Sequence, residues 1–314
     1  MHYILLDLEW NSAYSGAHKK FINEIIEIGA VKLDEDLREV DCFRQTIRSG
    51  LTRRLSGRFK RLTNITNEEM RAGVSLSEGL RRYGEWVGPD DITMTWSNTD
   101  LYVLLENCRL FTEWERPVCV GRYVDVQRFV QEEMARRGLI ADAKQQISLG
   151  RAAELFGIDV AELDLHRAQT DSRLCCLLLQ RTFDPIRLAA EVQDTRAADY
   201  YDRLTFKSYV ISDIHSPDID REALKFCCED CGAPARRRGK WIFKSRSFRA
   251  PFRCEACGKE FIGRAVFKKT YDGVTVKHTT RPMPEEELQS SQPPASGEAE
   301  TAQAVMPAQE AARK

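Results

Sequence analysis

Tyr3-Ile4-Leu5-Leu6-Asp7-Leu8-Glu9-Trp10 is an apolar, β-rich run broken by two acids one residue apart. Side chains alternate across a strand, so Asp7 and Glu9 share one face while Leu6, Leu8 and Trp10 face the other way and can pack in a core. Two carboxylates side by side repel each other and resist burial unless a cation joins them, although a solvated sheet edge would also accept them. Two further runs, EIIEIGAVKL (24–33) and EVDCFRQTI (39–47), follow across the acidic turn Asp34-Glu35-Asp36. Three strands joined by short polar turns predict an antiparallel meander at the start of a sheet.

Beyond the meander the signals become helical. Thr66-Asn67-Glu68-Glu69 and Ser75-Leu76-Ser77-Glu78 are capping-box signatures. The second opens Leu80, Tyr83, Trp86 and Val87 at helical spacing. Residues 91–96 (DITMTW) read as a strand, 100–108 as an amphipathic helix, 117–120 as a short buried strand and 124–137 as a helix. Helices are also expected at 148–156, 170–181 and 184–201. Strands first, then alternating helices and strands, predict an α/β domain with a mixed sheet.

Two further acids and a histidine extend the first pair. Asp100 lies at a strand-to-helix junction in Trp96-Ser97-Asn98-Thr99-Asp100, where an N-cap role would also suit an Asp. His166 and Asp171 stand five residues apart at the start of the 170–181 helix, where Asp is also ordinary dipole chemistry. Taken together and in order, this set resembles the DEDDh family of 3′→5′ exonucleases, over about residues 1–185. Supporting stretches are residues 25–30 (IIEIGA), 62–66 (LTNIT) and 148–158, which leads into the His motif. The Trp96–Asp100 segment is most similar to the Eri-1/KapD-like branch.

The resemblance implies an RNase H-like mixed sheet flanked by helices. It implies that Asp7, Glu9, Asp100 and Asp171 hold two Mg²⁺ or Mn²⁺ ions, hard cations that suit oxygen ligands. Two such ions clamp a scissile phosphate. It implies His166 as general base, an imidazole that titrates near 6.5. The products would be nucleoside 5′-monophosphates released from single-stranded nucleic acid, RNA favoured over DNA. Trp10 is expected near the 3′-terminal nucleotide, or alternatively in the core. The competing readings are a DNA-directed exonuclease and a non-catalytic nucleic-acid-binding adaptor; the full set of five catalytic positions argues against the adaptor.

The cysteines are distributed unevenly: of 10, five lie between positions 227 and 257. Cys228 and Cys231, then Cys254 and Cys257, form two C-x₂-C knuckles, each followed directly by Gly232 or Gly258. Paired knuckles of this spacing predict one structural Zn²⁺ in a Cys₄ zinc ribbon. Cys227 is then a spare thiol or a ligand in another register. Cys42, Cys108, Cys119, Cys175 and Cys176 read as core thiols. Between the knuckles, RRRGKWIFKSRSFRAPFR (236–253) interleaves eight Lys/Arg with four aromatics. Candidate nucleic-acid contacts are Arg236, Arg237, Arg238, Lys240, Trp241, Lys244, Arg246 and Arg249, through phosphates and base stacking. The aromatics are also suited to be the mini-core of a small zinc module.

The near-neutral total, -1 from 47 basic and 48 acidic residues, conceals an asymmetry. Residues 225–281 hold 15 basic and 5 acidic groups, a net +10, whereas residues 1–224 are net -7. A polybasic binder is excluded for the whole chain but expected for this segment. Residues 282–314 are rich in Pro, Ser, Gln, Ala and Glu without one aromatic, and are expected to be disordered. The expected divisions are 1–185, the exonuclease domain; 186–224, a helical extension and linker; 225–281, the zinc ribbon; and 282–314, the tail. The apolar run at 174–179 falls far short of the roughly 20 residues of a membrane span. The N-terminus has no basic region of the signal-peptide kind. A cytoplasmic location without membrane partners is therefore expected, where clustered cysteines more often bind metal than form disulfides.

Overall fold

The apolar run of the N-terminus continues into a longer strand than its pattern suggests. In the computed structural model, which describes residues 1–159 and 168–283, β1 (Tyr3–Ser15) and β2 (Lys20–Leu33) form a long antiparallel hairpin. Its register slips between Glu9 and Trp10: Glu9 faces Glu27 and Trp10 faces Ile25. Ile26 is therefore the extra residue of a β-bulge. It packs with Leu55, Ile65 and Met70 in a small cluster of its own. β3 (Glu39–Thr46) completes the meander.

The chain forms two compact units, Met1–Thr205 and Phe206–Lys314. In the first, three short helices follow the meander: α1 (Gly57–Thr63), α2 (Asn67–Ala72) and α3 (Leu76–Trp86). The first capping box forms in full: Thr66 accepts from the Glu69 amide, and the Glu69 carboxylate accepts from the Thr66 amide. The second is half formed, because the Glu78 carboxylate pairs with Arg81 and Arg82 instead. Then come β4 (Ile92–Thr95), α4 (Thr99–Phe111), β5 (Arg122–Asp125), α5 (Val126–Arg136), α6 (Leu149–Leu155), α7 (Ala168–Thr182), α8 (Pro185–Glu191), β6 (Gln193–Asp194) and α9 (Tyr200–Thr205).

The sheet order is β3-β2-β1-β4-β5-β6. β1, β4 and β5 run parallel and the other pairs antiparallel, so the sheet is mixed. One face carries Tyr3, Leu5, Val31, Met94 and Val124 against α5, α6 and α7. The other carries Ile4, Leu6, Leu8, Ile28 and Ala30 against α3 and α4. Each fully buried Leu or Ile of these layers contributes about 1.5–3 kcal/mol.

Two expectations are corrected. Residues 117–120 form a turn closed by the Val120 amide on the Pro117 carbonyl, and the strand is displaced to Arg122–Asp125, beside β4. The helix expected over 184–201 ends at Glu191, because residues 193–194 pair with β5. Of the five thiols expected in the core, Cys108, Cys175 and Cys176 are buried, Cys119 is half-buried and Cys42 is exposed on β3. Residues 284–314 lie outside the described residues.

The second unit is a seven-stranded antiparallel sheet: β7 (Tyr209–Val210), β8 (Phe226–Cys227), β9 (Pro234–Arg237), β10 (Ile242–Lys244), β11 (Ser247–Cys254), β12 (Glu260–Thr270) and β13 (Gly273–Pro282). Phe226, Phe248, Phe252, Phe261 and Phe267 form its core with Ile211 and Ile219. Two of the four aromatics between the knuckles, Phe248 and Phe252, are therefore structural. No helix among the described residues is long and apolar enough to cross a membrane.

Candidate active site and metal centre

Three carboxylates meet above β1. Ligand oxygens of Asp7, Glu9 and Asp171 all lie within 4.8 Å of one another. Asp7 and Glu9 come from the alternation of β1. Asp171 comes from the first turn of α7, which can reach them only because its N-terminal end lies directly on β2. Gly29 permits that approach: a Cβ there would stand 2.5 Å from the Gln169 nitrogen and 2.6 Å from the Ala168 carbonyl carbon. Ser172 seals the contact by donating to the Gly29 carbonyl at 3.3 Å and the Ala168 carbonyl at 2.7 Å. Gly29→Ala is expected to push α7 off the sheet, shift Asp171 and lower the affinity of the cluster for Mn²⁺ by about 10-fold or more with the fold retained. Circular dichroism and a Mn²⁺ titration of the same preparation check this, and unchanged affinity would refute the positioning role.

Asp100 sits within the first turn of α4, but it does not cap the helix. The N-cap is Asn98, which makes no side-chain capping bond. Instead the Leu8 amide donates to Asp100 Oδ1 at 3.1 Å, tying α4 to β1 between the two β1 acids. The turn before it is held by Ser97, in the left-handed region at φ 76, whose carbonyl accepts from Thr95 and from Tyr123 Oη. Asp125 ends β5 and caps α5 through the Arg128 amide. Acids thus gather at the carboxyl ends of neighbouring parallel strands, where α/β sheets place their ligand crevices.

The electrostatics are those of a cluster short of cations. Burial pushes the Asp7 carboxyl well above the usual carboxylate range, and the charges on Asp100, Glu9, Asp171 and Glu27 push it further. Burial carries Asp100 up to about 7, against the Leu8 amide and its own amide, with Asp125 and Asp171 adding to the rise. Burial also raises Asp125. Such a set of hard oxygen donors fits Mg²⁺ or Mn²⁺, whose charge would reverse these shifts.

A cleft of about 470 Å³ opens over the cluster, lined by Asp7, Asp100, Asp171, Trp10, Trp96 and Ser148 among others. Trp10 packs against the core and also lines the cleft. The wall at 148–150 is held through Ile147, whose carbonyl accepts from Gln127 Nε2 at 2.7 Å and Trp96 Nε1 at 3.3 Å. His166 lies in residues 160–167, outside the described residues.

A family model described as an exonuclease, RNase_T, matches residues 5–179, more than half of the chain. The chain belongs to this exonuclease family. A search of curated proteins finds no match. Among solved structures, a full-length 3′-exonuclease aligns with TM-score 0.50 and 19% identity over 62% of this chain and 85% of its own. A 3′-exonuclease described as recognising the 3′ end of a histone mRNA stem-loop gives 0.49 and 19% over 62% and 84%. E. coli Exonuclease I in complex with an oligonucleotide gives 0.46 and 12% over 80% and 54%. At 19% identity, the likeness of the first is one of fold.

Three groups in this exonuclease domain are not singled out by the sequence patterns above. Asp125 repeats the strand-to-helix position of Asp100 one strand further on, which is the signal that could have found it. Glu27 is fully buried opposite Glu9 and accepts from Arg44 Nε at 2.9 Å; a lone Glu inside the apolar run EIIEIGAV marks it. Gly29 reads in the sequence only as one member of the stretch IIEIGA.

In the second unit, Cys228, Cys231, Cys254 and Cys257 converge, with all four sulfurs within 4.8 Å. Sulfur separations are 3.7 Å for Cys228–Cys257 and for Cys231–Cys257, and 3.4 Å for Cys231–Cys254. Zinc–thiolate bonds of about 2.3 Å give a tetrahedron with an edge of about 3.8 Å, so the set fits zinc. Both knuckles close alike, through the Gly232 amide on the Cys228 carbonyl and the Gly258 amide on the Cys254 carbonyl. Gly232 and Gly258 have φ of 71 and 75, which only glycine takes without cost. The Cys257 amide, donating to the Cys254 sulfur, brings that thiol down to about 6. Cys227 is exposed and stands outside the cluster.

The cationic segment spreads over the same sheet. Arg236 and Arg237 lie on β9, Arg238 and Lys240 just after it, Lys244 at the end of β10, Arg246 in the following turn and Arg249 on β11. All but Arg249 are exposed. Trp241 is half-buried against Phe226 and Phe252, with the Arg237 guanidinium 5.8 Å from its ring centre. Phe243 is 39% exposed, which leaves it free on one side.

Proposed function

We propose that this protein is a metal-dependent 3′→5′ exonuclease that releases nucleoside 5′-monophosphates from single-stranded nucleic acid, RNA in preference to DNA. The observation that carries the reading is the convergence of Asp7, Glu9 and Asp171 within 4.8 Å beneath a cleft that Asp100 also lines. Two bound Mg²⁺ or Mn²⁺ ions would polarise the scissile phosphate and offset the charge that develops on it. Asp7, Glu9, Asp100 and Asp171 are the groups to hold them. Asp100 is anchored by the Leu8 amide, and Asp171 is positioned by the close contact of α7 with Gly29. Trp10, at the cleft wall, offers a ring face for the terminal base. His166, two residues before α7 begins, is the general base of the proposal: its imidazole nitrogen would take the proton of the attacking water. The RNA preference rests on the resemblance of residues 96–100 to one branch of the family.

The basic second unit is proposed to hold the substrate chain. Arg236, Arg237, Arg238, Lys240, Lys244, Arg246 and Arg249 would follow phosphates, with Phe243 and the free side of Trp241 for bases. Phe248 and Phe252 are buried and belong to the core of the unit.

A time course with Mg²⁺ or Mn²⁺ on end-labelled RNA and DNA oligomers, with 3′-blocked controls, tests the reading. Stepwise shortening from the 3′ end, faster on RNA, is expected. Internal cuts, or degradation of blocked ends, would refute it, and equal or faster DNA shortening would overturn the preference. Charge reversal at Arg236 and Arg237 is expected to raise KM with kcat unchanged and to flatten the salt dependence, by about 0.7 in logarithmic slope for each phosphate that is no longer neutralised.

A further inference from the structure

The β1–β2 hairpin does not stop at the carboxylates. Tyr14 stands five residues beyond Glu9, about 17 Å further along the strand. There Tyr14 pairs with Phe21 across the ladder, in edge-to-face contact at 5.5 Å between ring centres. The two rings are 57% and 71% exposed, an unusual state for adjacent aromatics. They lie on the same face of the hairpin as Trp10, since positions 10, 12 and 14 share a side and no register slip intervenes. The turn beyond them carries His18, Lys19 and Lys20, and residues 10–23 contain no acid although the surrounding 1–224 segment is net -7. Ser15 fixes the turn, accepting from the His18 amide and bonding to the His18 ring. Lys20 is engaged by Glu106 at 2.7 Å, which ties the base of the turn to α4 and leaves Lys19 as the exposed cation.

We infer that this hairpin end is a guiding arm for the substrate strand, with Tyr14 and Phe21 stacking on bases upstream of the nucleotide in the cleft and Lys19 meeting a phosphate. The inference rests on the cleft being the site of 3′-end hydrolysis. Its basis is a local positive charge, two free ring faces, and continuity with the strand that carries Asp7 and Glu9. Base stacking tolerates any sequence, so the arm would add affinity for length and not for a motif.

The experiment compares the full-length protein with Tyr14→Ala/Phe21→Ala on a dinucleotide and on a single-stranded RNA of about 16 nucleotides. Loss of the rings is expected to raise KM for the long oligomer about tenfold with kcat unchanged, and to leave dinucleotide kcat/KM within about twofold. Tyr14→Phe/Phe21→Tyr, which keeps two rings, restores the long-oligomer KM. Lys19→Ala lowers the logarithmic salt slope of long-oligomer binding by about 0.7. Equal effects on both substrates, or none, would overturn the arm. So would a change in sedimentation that showed the rings to be a contact between two copies of the chain. Anisotropy of the labelled oligomer in metal-free buffer reads the arm without turnover: a protein that hydrolyses nothing refutes the exonuclease reading, while undiminished binding by the double variant refutes the arm.

Discussion

Asp7→Asn is expected to abolish hydrolysis and, in metal-free protein, to raise the melting temperature. The two effects share one cause. Burial and four neighbouring carboxylates hold the Asp7 carboxyl well above its ordinary range. A folded pKa above the unfolded one means that the metal-free fold loses stability as pH rises from the ordinary carboxylate value near 4 towards the folded value. The raised carboxyl is therefore a burden to the metal-free fold above the ordinary carboxylate range, and the amide removes it. Each kcal/mol so relieved raises the melting temperature by about 2–4 °C in a unit of this size. Under the proposed function the same substitution would also remove a ligand for the cations that offset charge on the phosphate, and activity should fall by about 10³-fold or more. Scanning calorimetry with and without Mg²⁺ checks the first effect: Mg²⁺ should stabilise the wild type and barely move the variant. A destabilised variant, or one that still hydrolyses at the wild-type rate, would count against the cluster as a metal site.

Removing zinc should act on the other half of the chain. A zinc-selective chelator, or Cys254→Ser, is expected to unfold the second unit while the first keeps its helical signal. Zinc held by four thiolates contributes roughly 10–16 kcal/mol in small modules, more than a core of five Phe and a few aliphatics can replace. Loss of β8, β9 and β11 from register would expose Phe226 and Phe252, visible as protease cleavage between residues 226 and 261. Hydrolysis of a dinucleotide should persist and capture of long oligomers should fail. A second unit that stays protease-resistant after chelation would show that the sheet, and not the ion, holds it.

The sequence carried the chemistry of both sites in its local periods. A two-residue period puts Asp7 and Glu9 on one face, and a two-residue gap before glycine makes a knuckle. Those are properties of neighbouring residues, and they survive in the structure. Where the sequence misled, a long-range partner intervened. Residues 117–120 (PVCV) have the pattern of a buried strand, yet β5 forms at Arg122–Asp125, because its hydrogen bonds come from β4. Helical propensity after Asp184 gives way at residues 193–194, where the chain pairs with β5.

The sequence by itself determined the fold class, the family and which residue types stand ready to bind metal, since these follow from alternation, spacing and chain order. Only the tertiary structure decided where each group stands and what it touches. Asp100 could have been a cap until the Leu8 amide claimed it. Asp171 reaches β1 because a missing Cβ at Gly29, about 140 residues earlier in the chain, lets α7 lie on the sheet. Four aromatics between the knuckles look alike in the sequence, and burial divides them: Phe248 and Phe252 lie in the core, whereas Trp241 is half-buried and Phe243 exposed. Such choices depend on contacts between residues far apart in sequence, and a pattern read along the chain contains no term for them.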